Sequence, residues 1–253
     1  MTVTAPIVVA LVLALLVGVT IGLFGGGGGI LTLPILTYAA GFPTEQAIAM
    51  SLFIVGTTSL ISAVRHAFSH RVQWKIGTVF ALGSMVGSFF GGKLSGYLPG
   101  TVLMLIFGTV MFAAGIGMIR RRRGDTVERR PKVWLVVVLG TMIGVIAGLV
   151  GAGGGFLIVP ALALVGGLGM NFAVATSVYI IALQSAAGLL GHLGQTEIPW
   201  VFTLVFTGLS IVGSMIGASF IGKVPERKLK KGFGVFVLAM AVFVLGEQIL
   251  SAV

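Results

Sequence analysis

Apolar runs long enough to cross a bilayer recur through most of this 253-residue chain, at about residues 3–23, 46–64, 76–97 and 101–119, and again from 133 to 250. A hydrocarbon core ~30 Å thick takes about 20 helical residues at 1.5 Å each, and inside it every backbone N–H and C=O must be paired within the protein. The fold class that follows is an all-α polytopic membrane protein. Only 9% of the residues are charged, against about 25% in a soluble domain. No Lys or Arg precedes the first run, which therefore reads as a mature span and not as a signal peptide. The absence of cysteine excludes disulfides and thiolate metal sites. A net charge of +10 could suggest nucleic acid, but it sits in short loops between spans, where it sets membrane orientation; the bilayer is the expected partner and nucleic acid is not.

The chain also repeats itself. GLFGGGGGILTLPIL, residues 22–36, returns as GLVGAGGGFLIVPAL, residues 148–162, with 9 of 15 positions identical. The same offset of 126 aligns Ser51 with Ser177, His66 with His192, Trp74 with Trp200, Gly87 and Gly91 with Gly213 and Gly217, and Pro99 with Pro225. Glycine and leucine coincide often in membrane sequence, but His, Trp and Pro at one offset do not, so two homologous halves are expected. The organisation is a first membrane repeat, 1–119, a basic linker, 120–132, and a second repeat, 133–253. Each half holds four long runs and a short one (29–41 in the first) directly after the glycines, giving 8–10 membrane segments according to whether the short one crosses or re-enters.

Positive charge arbitrates, because Lys and Arg concentrate in cytoplasmic loops. If the short segments cross, the basic groups at 65–75, 120–132 and 223–231 share one side, fifteen residues against Lys93 alone; if they re-enter, the division is ten against six. The crossing arrangement makes the halves inverted-topology repeats, with the linker and the Lys/Arg-rich loops cytoplasmic and both termini outside.

Inverted repeats place substrate near the midplane, where helices break. Consecutive glycines open the backbone to conformations closed to other residues, and a helix resuming after them turns its unpaired N–H groups and partial positive charge toward the break. Gly25, Gly26, Gly27, Gly28 and Gly29 in one half, with Gly151, Gly153, Gly154 and Gly155 in the other, are thus candidate substrate-binding residues, two helix N-termini converging on an anion. Pro34 and Pro160 are expected in the first turns, where proline is tolerated. The competing explanation is close helix packing, which needs one small residue per turn and suits Gly87, Gly91, Gly213 and Gly217 better than five glycines in succession.

None of the six acidic residues is centred in a span, which argues against a cation path. Neutral donors do lie there: Ser51, Thr57, Thr58 and Ser59, then Thr176, Ser177, Gln184 and Ser185. Ser51, Thr58, Ser177 and Gln184 join the candidate site, although any Ser or Thr can instead bond its own helix's carbonyls. His66 and His192 are the titratable pair related by the repeat, with a gating or proton-linked role or a local structural partner as the alternatives. His66 and His70 have helical ligand spacing but no third ligand nearby, so no metal is expected. No nucleophile, base and orienting group converge, so neither an enzyme nor a cofactor is expected.

The two glycine segments, each followed by AIAMSL or AVATSV, resemble the TauE/SafE family of bacterial membrane proteins, also called sulfite exporters. The resemblance covers nearly the whole chain. It implies secondary transport of small sulfur-containing anions, such as sulfite, sulfoacetate or related sulfonates, outward across the bacterial inner membrane. The alternatives are an anion channel and a non-transporting scaffold or accessory subunit; a homo-oligomer is compatible with each.

Overall fold

A computed structural model of the chain describes residues 5–25, 29–69, 71–120, 133–151, 155–164, 167–220 and 226–250. Among these there is no strand. The first half forms α1 (Ala5–Phe24), α2 (Gly29–Pro34) running on through a π-helical turn (Ile35–Ala39), α3 (Thr44–Phe68), α4 (Trp74–Ser95) and α5 (Gly100–Arg120). The second repeats the order as α6 (Val133–Val150), α7 (Gly155–Leu164), α8 (Met170–His192), α9 (Trp200–Ala218) and α10 (Glu226–Leu250). Six of these helices are long and apolar enough to cross a membrane.

Contacts between named residues fix the direction of each helix. Gln46 Nε2 donates to the Glu197 carbonyl at 2.8 Å, and Arg65 Nη1 to the Met215 carbonyl at 2.8 Å, so α3 and α9 run parallel. Gly77 lies against Thr176 and Tyr179, and Gly92 against Gly188 and His192, so α4 and α8 are also parallel. Gly56 abuts Ser185 while Gly188 abuts Leu52, and the two long helices α3 and α8 therefore cross antiparallel. Gly108 on Leu245 and Gly115 on Leu238 make α5 and α10 antiparallel too. Equivalent helices of the two halves thus traverse the bundle in opposite senses. The starts of α3, α5 and α9 and the ends of α4 and α8 define a first face; the opposite ends define a second.

Arg65, the end of α5 leading to the linker, and the start of α10 all stand at the second face, and Lys93, near the end of α4, at the first. Among the described residues, Arg65 and the basic start of α10 thus share a face, opposite Lys93.

Small residues decide which helices meet. A Cβ on Gly18 or Gly22 would fall 2.0 Å or 2.2 Å from the Ser210 or Ser214 carbonyl of α9, and one on Gly144 or Gly148 would fall 2.2 Å or 2.1 Å from the Ser84 or Ser88 carbonyl of α4. Backbone-to-backbone packing of this kind supplies van der Waals contact where lipid offers no hydrophobic drive between helices. The first helix of each half is in this way built onto the fourth helix of the other.

The prolines differ from expectation. Pro34 and Pro160 are each the sixth residue of their helices, beyond the first turn, where a missing N–H and the ring's bulk disturb the hydrogen-bond ladder. After Pro34 the helix widens to the π turn, with Ala40 N–H bonding the Ile35 carbonyl at 2.9 Å; π turns of this kind accommodate an interrupted ladder. α7 continues past Pro160 as α-helix.

Candidate functional site

Each glycine segment begins with a residue that only glycine suits. Gly25 has φ +59° and Gly151 φ +68°, left-handed values that terminate α1 and α6 and that other residues adopt at a cost. There is no room for a side chain either: a Cβ on Gly25 would lie 2.6 Å from the Val174 carbonyl oxygen, and one on Gly151 2.5 Å from Ile48 Cγ2.

Ser177 Oγ donates to the Gly25 carbonyl at 3.2 Å or to Val174 at 2.8 Å, and Ser51 Oγ to the Gly151 carbonyl or to Ile48 at 2.9 Å. A helix C-terminus leaves carbonyls unpaired, and these hydroxyls satisfy them. Each serine secures the break of the opposite half. With its one O–H directed at a carbonyl, a serine hydroxyl has only acceptor capacity left, so Ser51 and Ser177 hold the breaks in shape and are poorly disposed to receive an anion.

The breaks sit at different depths. Ser51 precedes the α3/α8 crossing, and Ser177 lies on the far side of it, so at 1.5 Å per residue the two anchors stand about 20 Å apart along the bundle axis. α2 and α7, which follow the breaks, nevertheless touch each other, and Gly29 and Gly155 at their starts are buried. Gly26, Gly27, Gly28, Gly153 and Gly154 lie outside the described residues.

Between the two anchors in depth lie several hydroxyls without partners among the described residues. Thr58, Ser59, Ser88 and Ser185 are fully buried and Ser62 nearly so, and none of their Oγ atoms has a hydrogen-bond partner among the described residues. The alternative of self-bonding applies elsewhere: Ser84 bonds Ala81, Thr203 bonds Pro199, Thr207 bonds Thr203 and Ser214 bonds Ile211. Leaving a hydroxyl buried and unpaired costs about 1–3 kcal/mol, and buried polar groups of this kind are ordinarily satisfied by water or a bound polar group. Gln184 is fully buried beside Ser185.

Ser59 and Ser185 are equivalent under the 126-residue offset, as are Thr58 and Gln184, and these residues flank the point where α3 crosses α8. The sequence reading selected Thr58 and Gln184 but left Ser59, Ser62, Ser88 and Ser185 out of the site. The offset that singled out the histidines would have found Ser59 with Ser185 and Ser88 with Ser214; nothing in the sequence distinguishes Ser62, whose equivalent is Gly188.

The histidines are not used alike. His192 Nδ1 donates to the Gly188 carbonyl at 3.0 Å, which leaves Nε2 as an acceptor at 2.8 Å from Ser95 Oγ, whose one hydrogen goes either there or to the Gly92 carbonyl at 2.7 Å. Gln195 Nε2 adds bonds to the Gly191 and Gly92 carbonyls at 3.0 Å and 3.2 Å, so the first-face end of α4 and α8 is stitched together. His66 is buried with Nε2 unpartnered among the described residues. His70 lies outside them.

Comparison with known proteins places this geometry in context. The family described as Sulfite exporter TauE/SafE matches residues 10–244. A probable membrane transporter protein of Methanocaldococcus jannaschii is 30% identical over 251 residues, covering 93% of this chain and 94% of its own. One from Xylella fastidiosa is 29% identical over 246 residues, 94% of each, and one from Bacillus subtilis is 25% identical over 269 residues, 96% of this chain and 97% of its own. No solved structure matches the chain.

Proposed function

The chain belongs to the sulfite exporter TauE/SafE family, a family of membrane transporters, and from that membership we propose that it is a secondary transporter moving sulfite, sulfoacetate or a related sulfonate outward across the inner membrane. The observation that carries the anion reading is the repeat-related pair Ser59 and Ser185, fully buried and without hydrogen-bond partners among the described residues, standing between two helix breaks in a stretch with no carboxylate. An anion accepts hydrogen bonds only, and hydroxyl, amide and backbone N–H groups are the donors that hold it without binding it too tightly to leave.

In this reading the anion is received at the α3/α8 crossing by Thr58, Ser59, Ser185 and Gln184, and the N–H groups that follow each glycine break receive it on either side of that crossing as it enters and leaves. Ser51 and Ser177 keep the breaks in register. The second face, with its concentration of Lys and Arg, is the cytoplasmic one. His192, Ser95 and Gln195 close the first-face end, and His66 stands at the cytoplasmic end of the same pathway.

The test is flux of labelled sulfite and sulfoacetate in proteoliposomes with and without a pH gradient. Uptake that accumulates against a concentration gradient only when the pH gradient is imposed supports a coupled transporter. Flux indifferent to the gradient makes the protein a channel, and no flux by well-folded protein leaves a scaffold.

A further inference from the structure

The packing of α4 on α8 and of α3 on α9 are equivalent under the repeat, yet they are built differently. At the first-face end of α4/α8, a Cβ on Gly191 would lie 2.5 Å from the Phe89 carbonyl oxygen, and one on Gly92 2.7 Å from that of Gly188. The offset of 126 puts Arg65 in place of Gly191, Ala218 in place of Gly92 and Ser62 in place of Gly188. Arg65 reaches with its guanidinium to the Met215 carbonyl at 2.8 Å, and Met215 is the equivalent of Phe89. The same carbonyl is contacted in both halves, by backbone in one and by the end of a long side chain in the other. α3 and α9 therefore stand apart near the second face, and the separation is written into the sequence.

The space left is a cavity of about 290 Å³ walled by Ile61, Val64, Phe68, Met215 and Ala218, with Ser62, Arg65 and Ser214 as its polar members; the Ser214 hydroxyl is spent on the Ile211 carbonyl at 2.9 Å. Val64, Phe68 and Met215 are exposed on the outer surface of the bundle, so the cavity opens sideways to lipid as well as toward the basic face. Ser62 is 3% exposed, and its hydroxyl, in the cavity wall, has no partner among the described residues. Arg65 uses a hydrogen of Nη1 on Met215; a guanidinium carries five N–H donors.

We propose that this cleft binds an anionic phospholipid, with an acyl chain in the apolar cavity and the headgroup phosphate on Arg65. An apolar slot that opens to lipid and ends at a guanidinium on the most basic face matches an amphiphile with a negative head, and arginine's fork suits phosphate oxygens. A small soluble anion would leave the apolar walls uncovered. The proposal is independent of what the protein transports.

Native mass spectrometry of the detergent-solubilised full chain, offered phosphatidylglycerol and phosphatidylcholine in equal amounts, tests it. The wild type retains one phosphatidylglycerol with roughly tenfold preference over phosphatidylcholine, and Arg65→Ala removes most of that preference. Ala218→Phe, which keeps the arginine but fills the cavity, loses the bound lipid as well and serves should Arg65→Ala fail to fold; size exclusion and helical circular dichroism check both. Equal retention of the two lipids by wild type, or undiminished phosphatidylglycerol on either folded variant, overturns the proposal. Displacement of the lipid by millimolar inorganic phosphate overturns it too, by assigning Arg65 to a free anion.

Discussion

Gly151→Ala isolates the docking of a glycine break on its neighbouring helix. Two costs act together. A left-handed conformation at φ +68° costs an alanine about 1–2 kcal/mol. The added Cβ would also stand 2.5 Å from Ile48 Cγ2 and 2.7 Å from Ile48 Cα, and because the second obstacle is backbone of α3 the strain is not relieved by a rotamer change; overpacking of this kind adds about 1–3 kcal/mol. Gly41→Ala is the matched control, since Gly41 has φ +74° but nothing within 4 Å of its Cβ position. At about 2–4 °C per kcal/mol for a chain of this size, Gly41→Ala lowers the melting temperature by roughly 2–8 °C and Gly151→Ala by roughly 4–20 °C. Fluorescence-detected size exclusion after a temperature ramp in detergent reads both. Equal shifts for the two variants would refute the close seat of the break on Ile48, because only the conformational cost would then be operating.

Ser59→Ala and Ser185→Ala, which remove unpartnered hydroxyls, leave stability within about 1 kcal/mol or raise it, while raising KM for the transported anion; a KM unchanged in both places the anion elsewhere. Ser177→Ala instead leaves the Gly25 carbonyl short of a donor and destabilises by about 1–3 kcal/mol, measured by the same melting assay, where a shift no larger than that of Ser59→Ala contradicts the role given to it. A double-mutant cycle of His192→Leu with Ser95→Ala returns a coupling of about 0.5–1.5 kcal/mol, and strict additivity would mean that the bond does not hold α4 to α8. Cysteines placed beside Lys93 and at the C-terminus react with an impermeant reagent in intact cells and one at Asp125 does not; labelling of Asp125 and the C-terminus alike refutes opposite placement of the linker and the end of α10.

The helix order was legible because it depends on length and apolarity, which are local properties. The restart of the helices at Gly29 and Gly155 was legible for a similar reason, since a glycine run leaves few places for a helix to resume. The prolines were misplaced by a few residues: Pro34 is tolerated by widening to a π turn, an adjustment that composition does not announce. Ser51 and Ser177 show a different limit. A serine near a break reads the same whether it faces a ligand or caps a carbonyl, and only the position of Gly151 against Ile48, or of Gly25 against Val174, separates the two. Ser62 was illegible for want of a serine at the equivalent position, which is Gly188.

The exchange of first helices between the halves sets a timetable for the protein's assembly. Gly18 and Gly22 pack on residues of α9 that lie almost two hundred positions downstream. At roughly 5–20 residues per second of synthesis, α1 waits about 10–40 s in the bilayer before its partner exists. α4 has a shorter wait for α6, so the α4/α6 pair assembles while α1 is still unmatched. A ribosome that stalls before α9 leaves a glycine-lined helix surface exposed in the bilayer, which is where quality control of this protein would have to act.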